Sequence, residues 1–266
     1  MQQTPSKIPI VMSFSSSDPT GGGGIQADIE TLFSLGCHCT PVITSITARD
    51  TREVKDFGAI PASLLIEQAR VVLEDMPVAA FKIGIVGSSE NAAAIHTLVR
   101  DYPDVPVILQ PCLNGTGSAD RIDHNIVNAI TSLLLPIATI VALDSQSAQS
   151  LTPGADTTAA CAHKLLEYGC KLLLITGTHE VTPAITNSLY GCNGIIEQFT
   201  WERLPNQFLG CSCTLSSSIA AYIALGHSKI AAIQEAQRYT FECLKQGFRI
   251  GMGANLPNRS RRFVRK

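Results

Sequence analysis

The chain has 266 residues, 45% of them hydrophobic, a formal net charge of −2 and nine cysteines. Such a length and apolar share suffice for one large core, and the balanced charge argues against a nucleic-acid or membrane-surface binder and for a small-molecule partner. The cysteines are odd in number and scattered without metal-ligand spacing, so free thiols in a reducing, cytoplasmic compartment are expected.

The first 14 residues, MQQTPSKIPIVMSF, carry one lysine and a short apolar run that breaks into serines, which fits neither a secretory signal nor a membrane span. Residues 7–14 form a β-rich run that stops in Ser15-Ser16-Ser17-Asp18-Pro19-Thr20-Gly21-Gly22-Gly23-Gly24, and a helical pattern occupies residues 25–35. Strand, polar glycine turn and helix in that order open a Rossmann-like unit. Successive glycines let backbone approach a ligand closely, although a flexible loop would use the same residues. Asp28 falls in the first helical turns, where its carboxylate either caps orphan N–H groups or reaches a ligand hydroxyl.

Residues 39–47 (CTPVITSIT) read as a second strand ending at Thr47, with Ala48-Arg49-Asp50-Thr51 as the loop at its C-terminal end. Ligands of open α/β sheets sit at such ends, which makes Arg49 a candidate contact. Leu65, Ala69, Val72 and Met76 share one face at helical spacing, the pattern of a helix covering a sheet. Residues 79–86 (AAFKIGIV) are strand-like, with Ile85 near their C-terminal end, and Ser88 or Ser89 is placed to cap a helix through Arg100. Residues 105–109 give the next strand, followed by the loop 110–117 (QPCLNGTG).

Residues 136–143 form another buried strand, and Asp144-Ser145-Gln146-Ser147 leads into a short helix. Residues 157–168 are helical, with Gly169 as the C-cap. Residues 171–176 (KLLLIT) end at Gly177-Thr178-His179, and apolar runs of this kind fit parallel strands buried on both faces. Residues 187–190 and 195–201 suggest an antiparallel hairpin at one edge. Gly210-Cys211-Ser212-Cys213 then opens a helix through Leu225, so that free N–H groups and the positive end of a helix dipole converge on one spot that suits an anion. Cys213 falls in the first turn, where a thiol pKa drops and the thiolate becomes a candidate base or nucleophile; a buried cysteine opening a core helix is the plainer alternative. A last helix spans residues 228–244. The expected domain covers residues 1–258, and the basic tail 259–266 is expected to be disordered. No internal repeat or long linker interrupts the alternation.

The βα alternation places both glycine turns on one edge of a sheet, the layout that phosphoryl transfer uses to bring acceptor and donor together. Neither a Walker A motif nor the protein-kinase motif set occurs. The run SFSSSDPTGGGGIQADIETLFSLGCHCTPVITSITARDT (13–51), with FKIGIVGS (81–88), LLPIATIV (134–141) and CTLSSSIAAYIALG (213–226), resembles the bacterial hydroxymethylpyrimidine/phosphomethylpyrimidine kinases, ribokinase-like proteins of thiamine biosynthesis. The resemblance implies an α/β fold of the three-layer α/β/α sandwich type, with a mostly parallel central sheet and a small antiparallel edge hairpin. It implies ATP with Mg²⁺, a homodimer, and successive phosphorylation of the pyrimidine alcohol and its monophosphate. Carried over, Gly23 and Asp28 match contacts to the pyrimidine and its hydroxymethyl side, joined on the substrate side by Thr47, Arg49 and Ile85. Cys213 matches the catalytic cysteine, with Gly210, Cys211 and Ser212 as its anion hole. Asp144, Thr176 and Gly177 fall on the nucleotide side, and no metal ligand is assigned.

This sequence also departs from that pattern. The usual Gly-Thr-Gly-Cys is here Gly210-Cys211-Ser212-Cys213, and a serine at the second glycine is expected to restrict the turn. Arg49 replaces a glutamine that reads the pyrimidine, and Gln110-Pro111 replaces Asp-Pro. Asp144-Ser145-Gln146-Ser147 replaces Asn-x-x-Glu, and Thr176-Gly177-Thr178-His179 replaces Lys-Gly-Gly-His. One cation and two carboxylates expected around a triphosphate are missing. Two functions remain open: a kinase in which Asp144 and waters hold Mg²⁺ and the permanent cation of Arg49 favours the monophosphate, or a non-catalytic binder of a pyrimidine or its phosphate that serves as a sensor or partner subunit.

Overall fold

A computed structural model of the chain describes residues 8–112 and 123–260. Strands β1 (Ile10–Ser17), β2 (His38–Arg49), β3 (Val54–Ala59), β4 (Val78–Ile83), β5 (Val107–Leu109), β6 (Ile140–Asp144), β7 (Leu173–Thr176), β8 (Ala184–Gly191) and β9 (Gly194–Glu202) join one sheet in the order β3-β2-β1-β4-β5-β6-β7-β8-β9. The strands from β2 to β7 in that order are parallel, and β3, β8 and β9 add antiparallel edges. The helices are α1 (Gly24–Ser34), α2 (Ala62–Asp75), α3 (Ser89–Arg100), α4 (His124–Ala129), α5 (Ser145–Leu151), α6 (Thr158–Glu167), α7 (Cys211–Ala224) and α8 (Lys229–Lys245).

Successive strand side chains point to opposite faces, so an all-apolar strand feeds two cores at once. Met12, Phe14, Phe81, Ile83 and Leu109 pack on one face against α2 to α6. Val11, Ala80, Ile108, Ile140 and Leu174 pack on the other against α1, α7 and α8. The result is the expected three-layer α/β/α sandwich with its antiparallel edge hairpin. Two polar residues, Ser13 and Lys82, interrupt the second core, and both are fully buried. They lie under the helices that carry the glycine turns.

Local chemistry sets most boundaries. Ser88 caps α3 by accepting from Asn91 N (3.1 Å), and Thr157 caps α6 by accepting from Ala160 N (3.1 Å). Three expectations differ. Residues 48–51 are not simply a loop, because β2 continues to Arg49 and returns as β3; the Asp50 carboxylate accepts from Arg52 N (2.7 Å) and Glu53 N (3.0 Å), closing a tight turn between them. The strand expected from residue 136 begins only at Ile140, since Pro136 lacks the N–H a central strand needs. The tail expected from residue 259 does not leave the fold there: Arg259 is 3% exposed. Residues 261–266, and residues 113–117 of the loop after β5, lie outside the described residues. No helix among the described residues is long and apolar enough to cross a membrane.

Candidate active site

The two glycine turns meet. Asp18 organises the first: its Oδ1 accepts from Thr20 N (2.8 Å) and Thr20 Oγ1 (2.7 Å), and its Oδ2 accepts from Gly23 N (2.9 Å). Gly21 N and Gly22 N donate to Asp18 O and Thr20 Oγ1. The turn therefore consumes its own donors. What its bare backbone approaches closely is the second turn, since a Cβ on Gly210 would collide with Gly22 O and one on Gly22 would strike the Leu209 side chain. Gly210 has φ +81° as the N-cap of α7, a conformation that a Cβ disfavours.

The first helical bond of α7 runs from Thr214 N to Gly210 O (2.9 Å), and no side chain caps the helix. The N–H groups of Cys211, Ser212 and Cys213 thus lack intrahelical acceptors, as at any helix start, and carry the positive end of the dipole. The restriction expected from Ser212 does not arise. Among the described residues no non-glycine has positive φ, and Ser212 sits in the first helical turn, where a serine is at ease.

Cys213 lies beside the first turn, and the N–H of Gly24, the first residue of α1, is among the groups that act on its thiol. The pKa drop expected of this thiol is not found: burial pushes it up, Lys82 opposes that, Asp28 adds to it, and Gly24 N–H and Arg259 oppose it. Desolvation of the thiolate outweighs the nearby positive groups. Burial likewise pushes Cys211 up to about 12, against the pull of Arg259.

Asp28 neither caps α1 nor opens to a ligand. It is fully buried and paired with Lys82 Nζ at 2.9 Å, and both side chains are 0% exposed. Ser13 Oγ donates to Asp28 Oδ2 and Ser217 Oγ to Oδ1, each at 2.7 Å. Burial lowers the Lys82 pKa, but the Asp28 carboxylate, helped by Cys213, carries it above the ordinary lysine value. A closed ionic quartet thus underlies the cysteine. Sequence reasoning missed the pairing, although a lone lysine in the apolar run FKIGIV was its signal.

Beside the turns lies a cavity of about 640 Å³ whose wall includes Arg49, Thr176, Arg203, Cys211 and Ser212. Gly23, Asp28, Thr47, Ile85, Asp144, Gly177, Gly210 and Cys213 are not part of that wall. Thr47 Oγ1 donates to Ser17 O (2.8 Å), tying β2 to β1, and Ile85 O accepts from Thr44 Oγ1 (2.6 Å). Arg49 Nη1 lies 3.7 Å from Asp18 Oδ2, so its cation is partly balanced by the organiser of the first turn. Asp144 caps α5, accepting from Ser147 N (2.8 Å) and Ser147 Oγ (3.0 Å), and His179 Nε2 stands 3.8 Å from its Oδ1. Thr176 Oγ1 accepts from Thr178 Oγ1 (3.2 Å), and Gly177 N donates to Thr186 O (3.1 Å).

Arg203 carried no sequence signal. At the end of β9 it donates to the carbonyls of Thr182 (2.8 Å), Thr178 (3.0 Å) and Glu180 (2.7 Å), which fixes the loop between β7 and β8. Among the described residues no group of three His, Cys, Asp or Glu is placed to hold a metal ion.

This sandwich, with an uncapped helix start facing a cleft at the strand ends, is of the ribokinase-like kinase class. Its fold matches the pyridoxal kinase of Staphylococcus aureus in complex with AMP-PCP and pyridoxal with a TM-score of 0.87 at 19% identity, over 97% of this chain and 96% of that one. The phosphomethylpyrimidine kinase family model matches residues 18–258, and the chain belongs to that family. The hydroxymethylpyrimidine/phosphomethylpyrimidine kinase of Rhizobium meliloti is 30% identical over 249 residues, covering 92% of this chain and 93% of that protein. The thiamine biosynthesis bifunctional protein of Geobacter sulfurreducens is also 30% identical over 249 residues, covering 91% of this chain and 50% of that protein. The chain thus spans about half the length of the bifunctional relatives it matches.

Proposed function

We propose that the chain is an ATP-dependent kinase of thiamine biosynthesis that phosphorylates 4-amino-5-hydroxymethyl-2-methylpyrimidine, its monophosphate, or both in succession. The observation that carries this reading is the contact of the two turns, with Gly22 O so close to Gly210, the N-cap of α7, that no Cβ would fit between them. The free N–H groups of residues 211–213 take the transferring phosphoryl, where fixed donors act on the charge that develops in the transition state. Cys213 takes the proton of the acceptor hydroxyl. Its raised pKa means that the resting group is the thiol and that turnover draws on a minor thiolate form, which the neighbouring Lys82 favours.

The nucleotide lies in the cavity between α7 and the loop held by Arg203. Mg²⁺ typically keeps several waters and uses one or two carboxylates with substrate phosphates, so Asp144, at the end of β6 and 19% exposed, would be the residue to hold it. The ion supplies neutralisation of the phosphate charge. Arg49, on the cavity wall, gives the acceptor side a permanent cation and favours the monophosphate. The same reading includes a homodimer, which light scattering checks, and a reducing cytoplasm, which suits nine free cysteines.

The test is ADP release with each pyrimidine in turn. The expected result is ADP formation stoichiometric with added pyrimidine and faster on the monophosphate. No ADP with either substrate, with pyrimidine binding retained in calorimetry, would overturn the kinase and leave the binder. A faster reaction on the alcohol would remove only the preference.

A further inference from the structure

Arg259 lies one residue beyond the span matched to the family, in a run that the sequence reads as a solubilising tail. Its side chain is nevertheless 2% exposed. Nε donates to Thr214 Oγ1 (2.9 Å), Nη2 to Gly22 O (2.6 Å), and Nη1 to Gly21 O (3.3 Å) and Glu30 Oε2 (2.9 Å). One planar group therefore touches both glycine-turn carbonyls, the first turn of α7 and the outer face of α1.

The approach to this position is also fixed. After α8, Gly253 N donates to Thr51 Oγ1 (2.9 Å) and Ala254 N to Thr51 O (3.0 Å), which pins the strap to the β2–β3 turn. Leu209 N donates to Asn255 O (2.9 Å), Asn258 N to Cys243 O (2.9 Å), and Tyr239 Oη to Arg259 O (2.8 Å). A tail serving solubility alone would not bury a guanidinium and satisfy it with four acceptors, because an unpaired buried charge is strongly unfavourable.

We propose that Arg259 is a positioning residue of the phosphoryl-transfer site: it clamps the first glycine turn to the start of α7 and so sets the distance between acceptor and anion hole. Without the guanidinium, the carbonyls of Gly21 and Gly22 lose the side-chain donor that joins them to Thr214 of α7. A guanidinium offers such a fork; a lysine ammonium supplies the charge without it. The kinetic part of the inference rests on the kinase reading above, whereas the clamp itself is measurable without substrate.

The experiment compares the full chain with Arg259→Gln and Arg259→Lys. Amide hydrogen exchange is read without ligand at residues 20–23 and at Thr214, whose N–H groups are hydrogen-bonded, and kcat and KM are read with both pyrimidines. Arg259→Gln is expected to speed exchange in both turns together and to lower kcat about 100-fold, the scale of a roughly 1 Å misplacement of reacting groups, with a smaller change in KM. Arg259→Lys is expected to recover part of the loss; if the Gln variant does not fold, this variant alone carries the test. Parental exchange in both turns, or parental kcat, would overturn the proposal. An inactive parent would refute the kinase reading, and the exchange data would still decide the clamp.

Discussion

The two sides of the cleft are built on different principles. On the side of the glycine turns the cations are buried and fully partnered: Lys82 with Asp28, and Arg259 with two carbonyls, a threonine and the exposed Glu30. Glycines and small serines there let backbones touch, and Ser216, Ser217 and Ser218 of α7 are all fully buried. On the nucleotide side Asp144 and His179 meet solvent, at 19% and 53% side-chain exposure, and the loop between β7 and β8 is held by the donors of Arg203. A tightly packed region admits few replacements, since any added atom collides. An open cleft admits replacement more readily, and there Arg203 and Thr176 share one cavity wall.

The comparison breaks hardest at the buried quartet. Lys82→Met leaves the Asp28 carboxylate in the core with only two hydroxyl donors, and removing one partner of a buried pair costs about 3–5 kcal/mol. Urea denaturation is expected to show that loss, and adding Asp28→Asn to Lys82→Met is expected to recover most of it. A single-variant loss below about 1 kcal/mol would mean that the acceptor side is not held by its charges.

Next in size is Cys213→Ala, expected to lower kcat about 100- to 1,000-fold while the melting temperature stays close to the parent. The pH profile gives the sign. A base works deprotonated, and burial raises this thiol above its ordinary value, so the parental rate is expected to climb through the alkaline range to a limb above the usual thiol pKa. That limb is expected to vanish in the variant. A profile unaltered by the substitution would take the proton from Cys213.

These two sites also mark how far the sequence could be read. The alternation of strands and helices was legible because buried parallel strands are apolar on both faces and each ends at a glycine or polar turn. β3 was not: VKDFGA has no buried residue and so no apolar pattern to find. Both glycine turns were legible because each is a contiguous string, and so was the place of Cys213 in the first turn of α7. The Asp28–Lys82 pair joins residues 54 apart, and Arg259 reaches Glu30 across 229, and neither spacing leaves a local trace. The Cys213 pKa was misjudged for a related reason: the helix start is written in the sequence, whereas the burial that overrides it comes from packing by distant segments.

On the nucleotide side the expected effect is smaller. Arg203→Gln is expected to raise the KM for ATP about tenfold, near the roughly 1.5 kcal/mol of one charge-assisted hydrogen bond, and to leave pyrimidine KM values within error. Stability is expected to change little, because the carbonyls it releases can turn to water. Equal changes in both KM values would show that the two sides are coupled and would weaken the contrast.

The smallest effect belongs to Arg49, which lies on the boundary between the two sides. Its guanidinium is 17% exposed, stands 3.7 Å from Asp18 Oδ2 and donates to Asp50 O (3.3 Å). Asp18 is itself held by Thr20 and Gly23, so its carboxylate stays in place whether or not Arg49 is charged. Arg49→Gln therefore removes a cation from the cavity wall without loosening the turn. Partial neutralisation by Asp18 and contact with solvent limit what that cation gives an incoming phosphate to about 0.5–1 kcal/mol. The kcat/KM for the monophosphate is expected to fall about two- to fivefold, and that for the alcohol to stay level, because a neutral acceptor gains nothing from the cation. Salt separates this from a change of shape: a charge effect shrinks as ionic strength shortens the screening length, whereas a steric one does not. A substrate ratio equal to the parent's at low salt would remove Arg49 from specificity and leave the acceptor side to recognise the pyrimidine by shape alone.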